Sequence, residues 1–237
     1  PRTVRVYRWH PSTLSLGYRQ DASDVNWARC EQQDIDVVRR PTGGGAIYHD
    51  GYCDISYSII APTEELPGDL METYELLCEP VLAALRAAGI KAAFAAEERT
   101  SIFEPACFLR GIHPAHDIVT SDGRKLAGNA QYRTREAVVQ HGSFSFATAP
   151  EQHVGCFDDC NITADRFETR VATMDDAISR EHVVEHLEQR LAMWCDAAEG
   201  EWAADEQAQG AKIAAEKFQG EAWTPDATTQ LPPETRR

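Results

Sequence analysis

The segment 37–51, VVRRPTGGGAIYHDG, gathers residue types that bind anions. Arg39 and Arg40 can present two planar guanidinium groups to a phosphate or a carboxylate. The three glycines that follow offer bare backbone, whose amides can donate to anionic oxygens. Because a turn does not need three glycines, we interpret the segment as a glycine hairpin that contacts a flat or extended ligand. The alternative is a tight turn between surface arginines.

A second segment, GRKLAGNAQYR, places Lys125 directly after a turn signal and before a run of small residues. Small residues let a backbone approach a ligand closely, and a lysine there can neutralise a developing carboxylate or phosphate charge. The alternative is a solvent-exposed lysine on a hairpin. Since the chain contains only four lysines, Lys125 is a candidate functional residue.

Cys107, in PACFLRG, is a candidate nucleophile. A thiol acts as a nucleophile when a cationic group stabilises its thiolate, whereas a free cysteine more often packs as a small apolar residue. The chain has seven widely spaced cysteines. This odd number indicates reduced thiols in a cytoplasmic protein rather than a disulfide framework.

The composition excludes several classes of protein. The 237 residues carry a formal net charge of −15 and a pI of about 4.9, which argues against nucleic acid as a partner. No apolar run is long enough to span a membrane, and the opening residues do not resemble a signal peptide. An acidic, lysine-poor surface is typical of a halophilic protein that stays soluble in high salt.

Strand patterns dominate the first 150 residues, and helix patterns dominate the last 60. The alternating segments 3–9 and 13–20 predict a strand pair, and 116–133 predicts a hairpin that turns at Asp122 and Gly123. Helices are predicted over 24–34, 74–88, 180–195 and within 205–218. This order predicts an α+β fold, a mostly antiparallel sheet with flanking helices. We expect one domain over residues 1–220 and a disordered tail over 221–237.

The two segments together resemble the lipoate side of the biotin/lipoate protein ligase superfamily. RRPTGGGAIYHD is similar to that family's Arg-Arg-x-x-Gly-Gly-Gly-x-x-x-His-Asp signature, RKLAGNAQ to its Lys-x-x-Gly-x-Ala signature, and QHGSF to its following His-Gly strand. The order and spacing agree across residues 4–147. The resemblance implies the family's catalytic-domain fold and the transfer of a lipoyl or octanoyl group to a lysine of a lipoyl-domain protein.

The family contains two chemistries. Ligases use ATP and Mg²⁺ to convert lipoic or octanoic acid into an acyl-adenylate before the transfer. Octanoyltransferases need neither cofactor: they move the chain from acyl carrier protein to a cysteine and then to the target. The implied targets are the lipoyl domains of 2-oxoacid dehydrogenases or the glycine cleavage H protein.

The resemblance implies roles for individual residues. Lys125 is the catalytic residue, and Cys107 is catalytic only in an octanoyltransferase. The implied substrate-binding or ATP-binding residues are Arg39, Arg40, Gly43, Gly44, Gly45, His49, Asp117, Gly128, Ala130 and His141. Asp117 is also the candidate Mg²⁺ ligand.

Gly45 and Asp117 favour the ligase, whereas Cys107 favours the octanoyltransferase. We therefore expect a ligase, with the octanoyltransferase as the alternative. The sequence lacks the further C-terminal domain of long-form ligases, so an accessory subunit that supplies this domain is a possible partner. A second alternative is a non-catalytic subunit that binds lipoyl domains.

Changing Lys125 to Ala is expected to abolish acyl transfer and to leave folding intact. The reason is that the substitution removes the positive charge at the carboxyl end of the acyl group. A transfer assay on a lipoyl domain, run beside circular dichroism, measures both effects. Normal transfer by the variant would rule out this role for Lys125.

Overall fold

The computed structural model describes residues 1–96, 105–110, 117–145, 150–159, 161–174, 178–220 and 223–225. Its strands are β1 (Thr3–Tyr7), β2 (Thr13–Leu16), β3 (Asp36–Arg39), β4 (Ile47–His49), β5 (Asp54–Pro62), β6 (Ala92–Phe94), β7 (Asp117–Thr120), β8 (Lys125–Arg133) and β9 (Ala137–Ser145). Its helices are α1 (Trp27–Gln32), α2 (Leu70–Ala87), α3 (Pro150–Gly155), α4 (Ala164–Arg170), α5 (Arg180–Cys195) and α6 (Ala204–Ile213).

Six strands form one antiparallel sheet in the order β1-β5-β9-β8-β7-β6. The turn between β7 and β8 carries the expected Asp122 and Gly123, and Gly123 has a φ of 80°, a value that glycine adopts without strain. Together with its helices, this sheet confirms the α+β fold class. His116, the first residue of the predicted hairpin, lies outside the described residues.

The other three strands form a small sheet in the order β3-β2-β4, which corrects two expectations. β1 pairs with β5, whereas β2 pairs with β3 and β4, so the first two strands do not pair with each other. All four residues of β2 are buried, which suits the central strand of a sheet, while β1 is a half-exposed edge. Because β2 separates β3 from β4, the three glycines form a loop rather than a hairpin.

The helices agree with the predicted segments except at their starts. α5 begins and ends as predicted, with Ser179 as its N-cap. α2 begins at Leu70, ahead of the expected start at 74, because the Asp69 carboxylate accepts from the amides of the first turn. Pro80 therefore lies inside α2. α1 begins at Trp27 with Asn26 as its N-cap, later than the predicted start at 24, since residues 22–24 form a separate short turn.

The alternation of β5 explains how the large sheet separates a core from a polar face. Ile55, Tyr57 and Ile59 are fully buried in a cluster with residues of α2 and α5. The intervening Asp54 and Ser56 point to the opposite face, where they bond to polar side chains. This opposite face is the one that meets the small sheet.

Two further features follow from the described residues. The six described cysteines are all free thiols, and Cys160 lies outside that set. Among the described helices, none is both long enough and apolar enough to cross a membrane.

Gly142 of β9 supplies a test of this packing. A methyl group at this position would overlap Asn129 Oδ1 and would lie 2.7 Å from Tyr57 Cε1. We expect Gly142→Ala to lower the free energy of unfolding by about 2 kcal/mol, because neither neighbour can withdraw from a packed site. Urea denaturation measures the change.

Gly210→Ala is the matched control. Gly210 lies within the exposed helix α6, and a methyl group there would have nothing within 4 Å. Since alanine favours a helix more than glycine does, the control should be neutral or stabilising by up to about 1 kcal/mol. Equal stability of the Gly142→Ala and wild-type proteins would contradict the packing described here.

Candidate active site

Cys107 begins a single 3₁₀ turn, Cys107–Leu109, that lies beside the start of β4. The Ala46 amide donates to Pro105 O at 2.7 Å, and the Cys107 amide donates to Ala46 O at 2.7 Å. These two hydrogen bonds fix the backbone of the cysteine. Its side chain remains partly exposed, so the thiol is held in place and is accessible.

Gly45 has a packing reason to be glycine. A Cβ at this position would lie 2.5 Å from Arg110 Nε, 2.8 Å from Pro105 O and 2.9 Å from Cys107 Cα. Only a residue without a side chain lets the Cys107 turn pack this closely. Gly45 is a feature of the sequence that favours a ligase. In the structure, its lack of a side chain lets the Cys107 turn pack against the glycine loop.

Lys125 lies beside Cys107 and is almost fully buried. Its Nζ is 2.9 Å from Asp117 Oδ1, 3.3 Å from Cys107 O and 3.9 Å from Cys107 Sγ. Lys125 is 3% exposed and Asp117 is 4% exposed. The structure thus places a buried ammonium group next to the partly exposed thiol, as catalysis by a thiolate requires.

The pKa of Lys125 is raised, so its ammonium form persists at neutral pH. Burial acts to lower this pKa, but the electrostatic effects of Cys107 and Asp117 and the hydrogen bond to Asp117 raise it by more. A lysine with a raised folded-state pKa stabilises the fold below its unfolded pKa. This contribution is lost only as the pH rises through the folded value.

A β-bulge places Lys125 and Gly128 on the same face of β8, next to Cys107. Residues two apart on a strand share a face, so positions 125 and 128 would normally lie on opposite faces. The pairing of β7 with β8 shifts between Ile118 and Val119, and Leu126 and Ala127 are both buried in the core. A Cβ at Gly128 would consequently lie 3.3 Å from Cys107 Sγ and 3.7 Å from Lys125 Nζ.

Arg40 binds the carbonyl groups of the glycine loop through its guanidinium. Its guanidinium donates to Ser15 O at 2.6 Å, to Gly43 O at 2.8 Å and to Gly45 O at 2.7 Å. Burial lowers the pKa of Arg40 to about 10, so the group remains charged at neutral pH. Its Nε is buried without a hydrogen-bond partner among the described residues. Gly43 and Gly44 themselves are exposed.

Arg39, predicted to bind phosphate, is placed differently. Its guanidinium is buried and donates to backbone carbonyls of residues 17–20 and 224–225. These contacts make Arg39 a residue that joins two loops. The predicted fork of two arginines around one anion is therefore not formed, because the Arg39 guanidinium bonds to the loop 17–20 while that of Arg40 bonds to the glycine loop.

His141 and Ala130 face each other across β8 and β9. His141 Nε2 lies 2.8 Å from the Thr42 hydroxyl, which precedes the glycine loop. Burial, followed by the nearby Arg40 and His49, lowers the pKa of His141 to about 3. His141 is therefore a neutral imidazole that ties the glycine loop to the large sheet.

His49 belongs to a separate polar cluster. Its Nδ1 lies 2.5 Å from Asp54 Oδ2, and the Ser143 hydroxyl donates to Asp54 Oδ1 at 2.8 Å. The Trp9 ring stacks on the imidazole, with 4.3 Å between the ring centroids. This cluster links β4 of the small sheet to β5 and β9 of the large one.

The Asp117 carboxylate pairs with Lys125. Within the described part of the chain, no three His, Cys, Asp or Glu side chains are grouped as metal ligands. The predicted metal role of Asp117 stays a prediction.

Sequence reasoning missed several residues that hold the site. Thr42, Asp54 and Ser143 make the contacts between the two sheets, and Gln20 donates to Pro105 O at 3.0 Å. Trp223 donates to Arg39 O from the predicted tail. Side chains that bond across long sequence separations leave no local pattern in the sequence, although a charged residue within a mostly buried strand, such as Asp54 in β5, is a usable signal.

The fold brings a partly exposed thiol, a buried lysine and a glycine loop together at one position. A family model, the lipoyl protein ligase A/B catalytic domain, matches residues 1–195. The chain belongs to this family.

The comparisons extend to curated relatives and solved structures. Octanoyltransferase LipM of Bacillus subtilis is 35% identical over 150 residues, which cover 60% of this chain and 53% of the relative. The chain spans about half the length of the first curated relatives it matches.

Two solved structures share the fold. A bipartite lipoate protein ligase of Thermoplasma acidophilum, studied with its E2 lipoyl domain, has a TM-score of 0.79 at 21% identity and covers 97% of this chain and 86% of its own. A lipoate-protein ligase A bound with ATP has a TM-score of 0.77 at 23% identity and covers 94% of this chain and 85% of its own.

The burial of Lys125 revises the expectation that Lys125→Ala leaves folding intact. The substitution removes one partner of a buried ion pair, so we expect a loss of about 3 kcal/mol in the free energy of unfolding. Urea denaturation measures this loss. Lys212→Ala, which breaks an exposed pair with Glu216, should cost no more than about 0.5 kcal/mol. Similar losses in the two variants would contradict the buried pair.

The packing of Gly45 gives a second prediction. Gly45→Ala should lower the free energy of unfolding by about 1–3 kcal/mol, because the methyl group meets the Cys107 turn. Gly43→Ala is the matched control, since a Cβ there has nothing within 4 Å and should change stability by less than about 0.5 kcal/mol. Chemical denaturation of both variants tests the difference, and an undisturbed Gly45→Ala protein would refute it.

Proposed function

We propose that this protein transfers an octanoyl or lipoyl group to protein lysines through a thioester on Cys107. The single observation that carries the proposal is the position of the Lys125 ammonium. It lies 3.9 Å from Cys107 Sγ and is held there by Asp117. The family membership and the octanoyltransferase LipM relatives support the same reaction class.

In the first step, the Cys107 thiolate attacks the carbonyl carbon of an acyl thioester, and the C–S bond to the donor breaks. The donor leaves as a thiolate that takes up a proton. Lys125 contributes a fixed positive charge beside the reacting sulfur, where it stabilises the thiolate before attack. Because the charge is buried and already paired, it need not reorganise during the reaction.

In the second step, the neutral ε-amino group of the target lysine attacks the Cys107 thioester. The new amide forms as the C–S bond breaks, the amine loses a proton, and Cys107 returns to a thiolate facing Lys125. The Cys107 amide is occupied by Ala46 O, which keeps the turn in place through both steps. Neither step requires ATP or a metal ion.

The substrates and partners follow from this chemistry. We propose octanoyl-acyl carrier protein as the donor, because its thioester is already activated. The proposed acceptors are lipoyl domains of 2-oxoacid dehydrogenases or the glycine cleavage H protein. Exposed Gly43 and Gly44 then form the edge along which the acyl chain or its carrier lies.

The ATP-dependent ligase expected from the sequence is the second candidate. In its favour are the exposed backbone of Gly43 and Gly44 and the unpaired Arg40 Nε. Against it, the guanidinium groups of Arg39 and Arg40 are engaged by carbonyls, and the Asp117 carboxylate is engaged by Lys125. These contacts argue against the predicted phosphate and Mg²⁺ roles, so we place the thioester route first.

We also propose that the protein works in the cytoplasm at high salt concentration. Free thiols require a reducing compartment, and the net charge of −15 is tolerated best where salt screens the repulsion.

The test uses the full chain and octanoyl-acyl carrier protein, without ATP. Intact-protein mass spectrometry should detect one octanoyl group on the wild-type protein and none on Cys107→Ser. Cys53→Ser is the matched control, since Cys53 is also a partly exposed thiol. It should gain the group as the wild type does.

Three results would overturn the proposal. An octanoyl group on Cys107→Ser would show that another residue is the nucleophile. Transfer only from free acid with ATP and Mg²⁺, with or without an accessory subunit, would establish the ligase. Binding of a lipoyl domain with no acyl transfer from either donor would establish the non-catalytic subunit.

A further inference from the structure

Beyond α5, the described residues 223–225 lie against the end of β3. Residues 223–225 form a turn, here named the C-terminal turn, in which Trp223 is 0% exposed. The Trp223 ring lies 6.2 Å from Tyr18 and 5.2 Å from Phe218, measured between ring centroids. Its indole N–H donates to Arg39 O at 2.8 Å.

This burial is local. None of the described residues from 201 to 220 is buried, so Trp223 anchors an otherwise exposed stretch of chain. A fully buried tryptophan stabilises the contact through the large apolar area that it removes from water. The anchor is therefore strong enough to hold the C-terminal turn against the β3 end.

Arg39 connects the C-terminal turn to the loop 17–20. On one side its Nε donates to Thr224 O at 2.9 Å. On the other side its Nη1 donates to Gly17 O at 2.8 Å and to Gln20 O at 2.7 Å. Because a buried guanidinium must satisfy its donors, a shift of either partner is transmitted to the other.

The loop 17–20 in turn contacts the catalytic cysteine segment. Gln20 Nε2 donates to Pro105 O at 3.0 Å, and Pro105 O also accepts from the Ala46 amide. Gly17 packs so closely against Gly44 that a Cβ would overlap the Gly44 carbonyl. The contacts thus run without a gap from the C-terminal turn to the Cys107 turn.

We propose that Trp223 is a positioning residue for the acyl transfer. Through Arg39 and Gln20 it holds the Cys107 turn against the glycine loop, at the distance from Lys125 that the thiolate needs. The inference rests on the proposed function, which it extends beyond the part of the chain that the family model matches.

The experiment compares three variants of the full chain. Trp223→Ala removes the anchor, Trp223→Phe keeps the aromatic packing but lacks the N–H donor, and Trp202→Ala removes an exposed tryptophan as the control. Stopped reactions with octanoyl-acyl carrier protein, followed by intact-protein mass spectrometry, give the rate constant and the final amount of Cys107 adduct.

If the Trp223 variants displace Cys107, the protein should react more slowly but should bind the acyl donor as well as the wild type does. The rate constant at saturating donor should fall about tenfold in Trp223→Ala and about threefold in Trp223→Phe, with the donor KM within about twofold. The final adduct should still reach one per protein. A merely destabilised protein would instead give less adduct at an unchanged rate, and that result would overturn the inference.

Alkylation of Cys107 by iodoacetamide, followed by peptide mass spectrometry, supplies a readout that needs no acyl donor. A released turn should be alkylated about threefold faster in Trp223→Ala than in Trp202→Ala, because local opening exposes the thiol. Equal rates in the two variants would overturn the inference. An altered alkylation rate in a protein that forms no octanoyl adduct would reject the proposed function and retain the positioning role.

Discussion

The site depends on the buried ion pair between Lys125 and Asp117. An ammonium group that is almost fully buried is tolerated only when an opposite charge and further acceptors replace its water. Asp117 provides the charge and Cys107 O provides an acceptor. The same arrangement leaves the ammonium facing Cys107 Sγ. The ion pair that compensates the burial of Lys125 therefore also places a positive charge beside the candidate nucleophile.

Other features of the fold serve this pair. The bulge in β8 turns Lys125 toward the site while Leu126 and Ala127 both remain in the core. Bulges of this kind often re-aim a side chain next to an active site. Gly45 lets the Cys107 turn approach, and Gly128 leaves room for the sulfur. Gly45 and Gly128 thus leave space around Cys107, and the charged side chains of Lys125 and Asp117 set the electrostatic potential at its sulfur.

Hydrogen bonds between buried polar groups join the small sheet to the large sheet. Thr42 bonds to neutral His141, and His49 bonds to Asp54, so the small sheet is attached to the polar face of the large one at two points. A polar contact between buried groups is costly when one partner is lost, which makes the relative position of the sheets well defined. The thiol on one side and the lysine on the other therefore meet at a fixed distance.

Much of the secondary structure could be predicted from the sequence, because periodicity and the Asp-Gly turn are local signals. The sequence also identified Lys125 and Cys107 as candidates. It could not show that Arg39 points away from Arg40, since the carbonyl partners of Arg39 lie far from it in the sequence. Nor could it show the bulge at Leu126, which depends on the pairing of two strands. The pairing of β1 with β5 rather than β2 is a third example, because long-range register leaves no trace in a short segment.

A chase of the acyl-enzyme tests the thioester route through Cys107 directly. The octanoyl adduct of the protein is isolated free of donor, mapped to Cys107 by peptide mass spectrometry, and mixed with a lipoyl domain in the absence of ATP. The account predicts that the octanoyl group leaves Cys107 and appears on the lipoyl-domain lysine in a single turnover. An adduct that stays on the protein, or that moves only when ATP and Mg²⁺ are added, would contradict it.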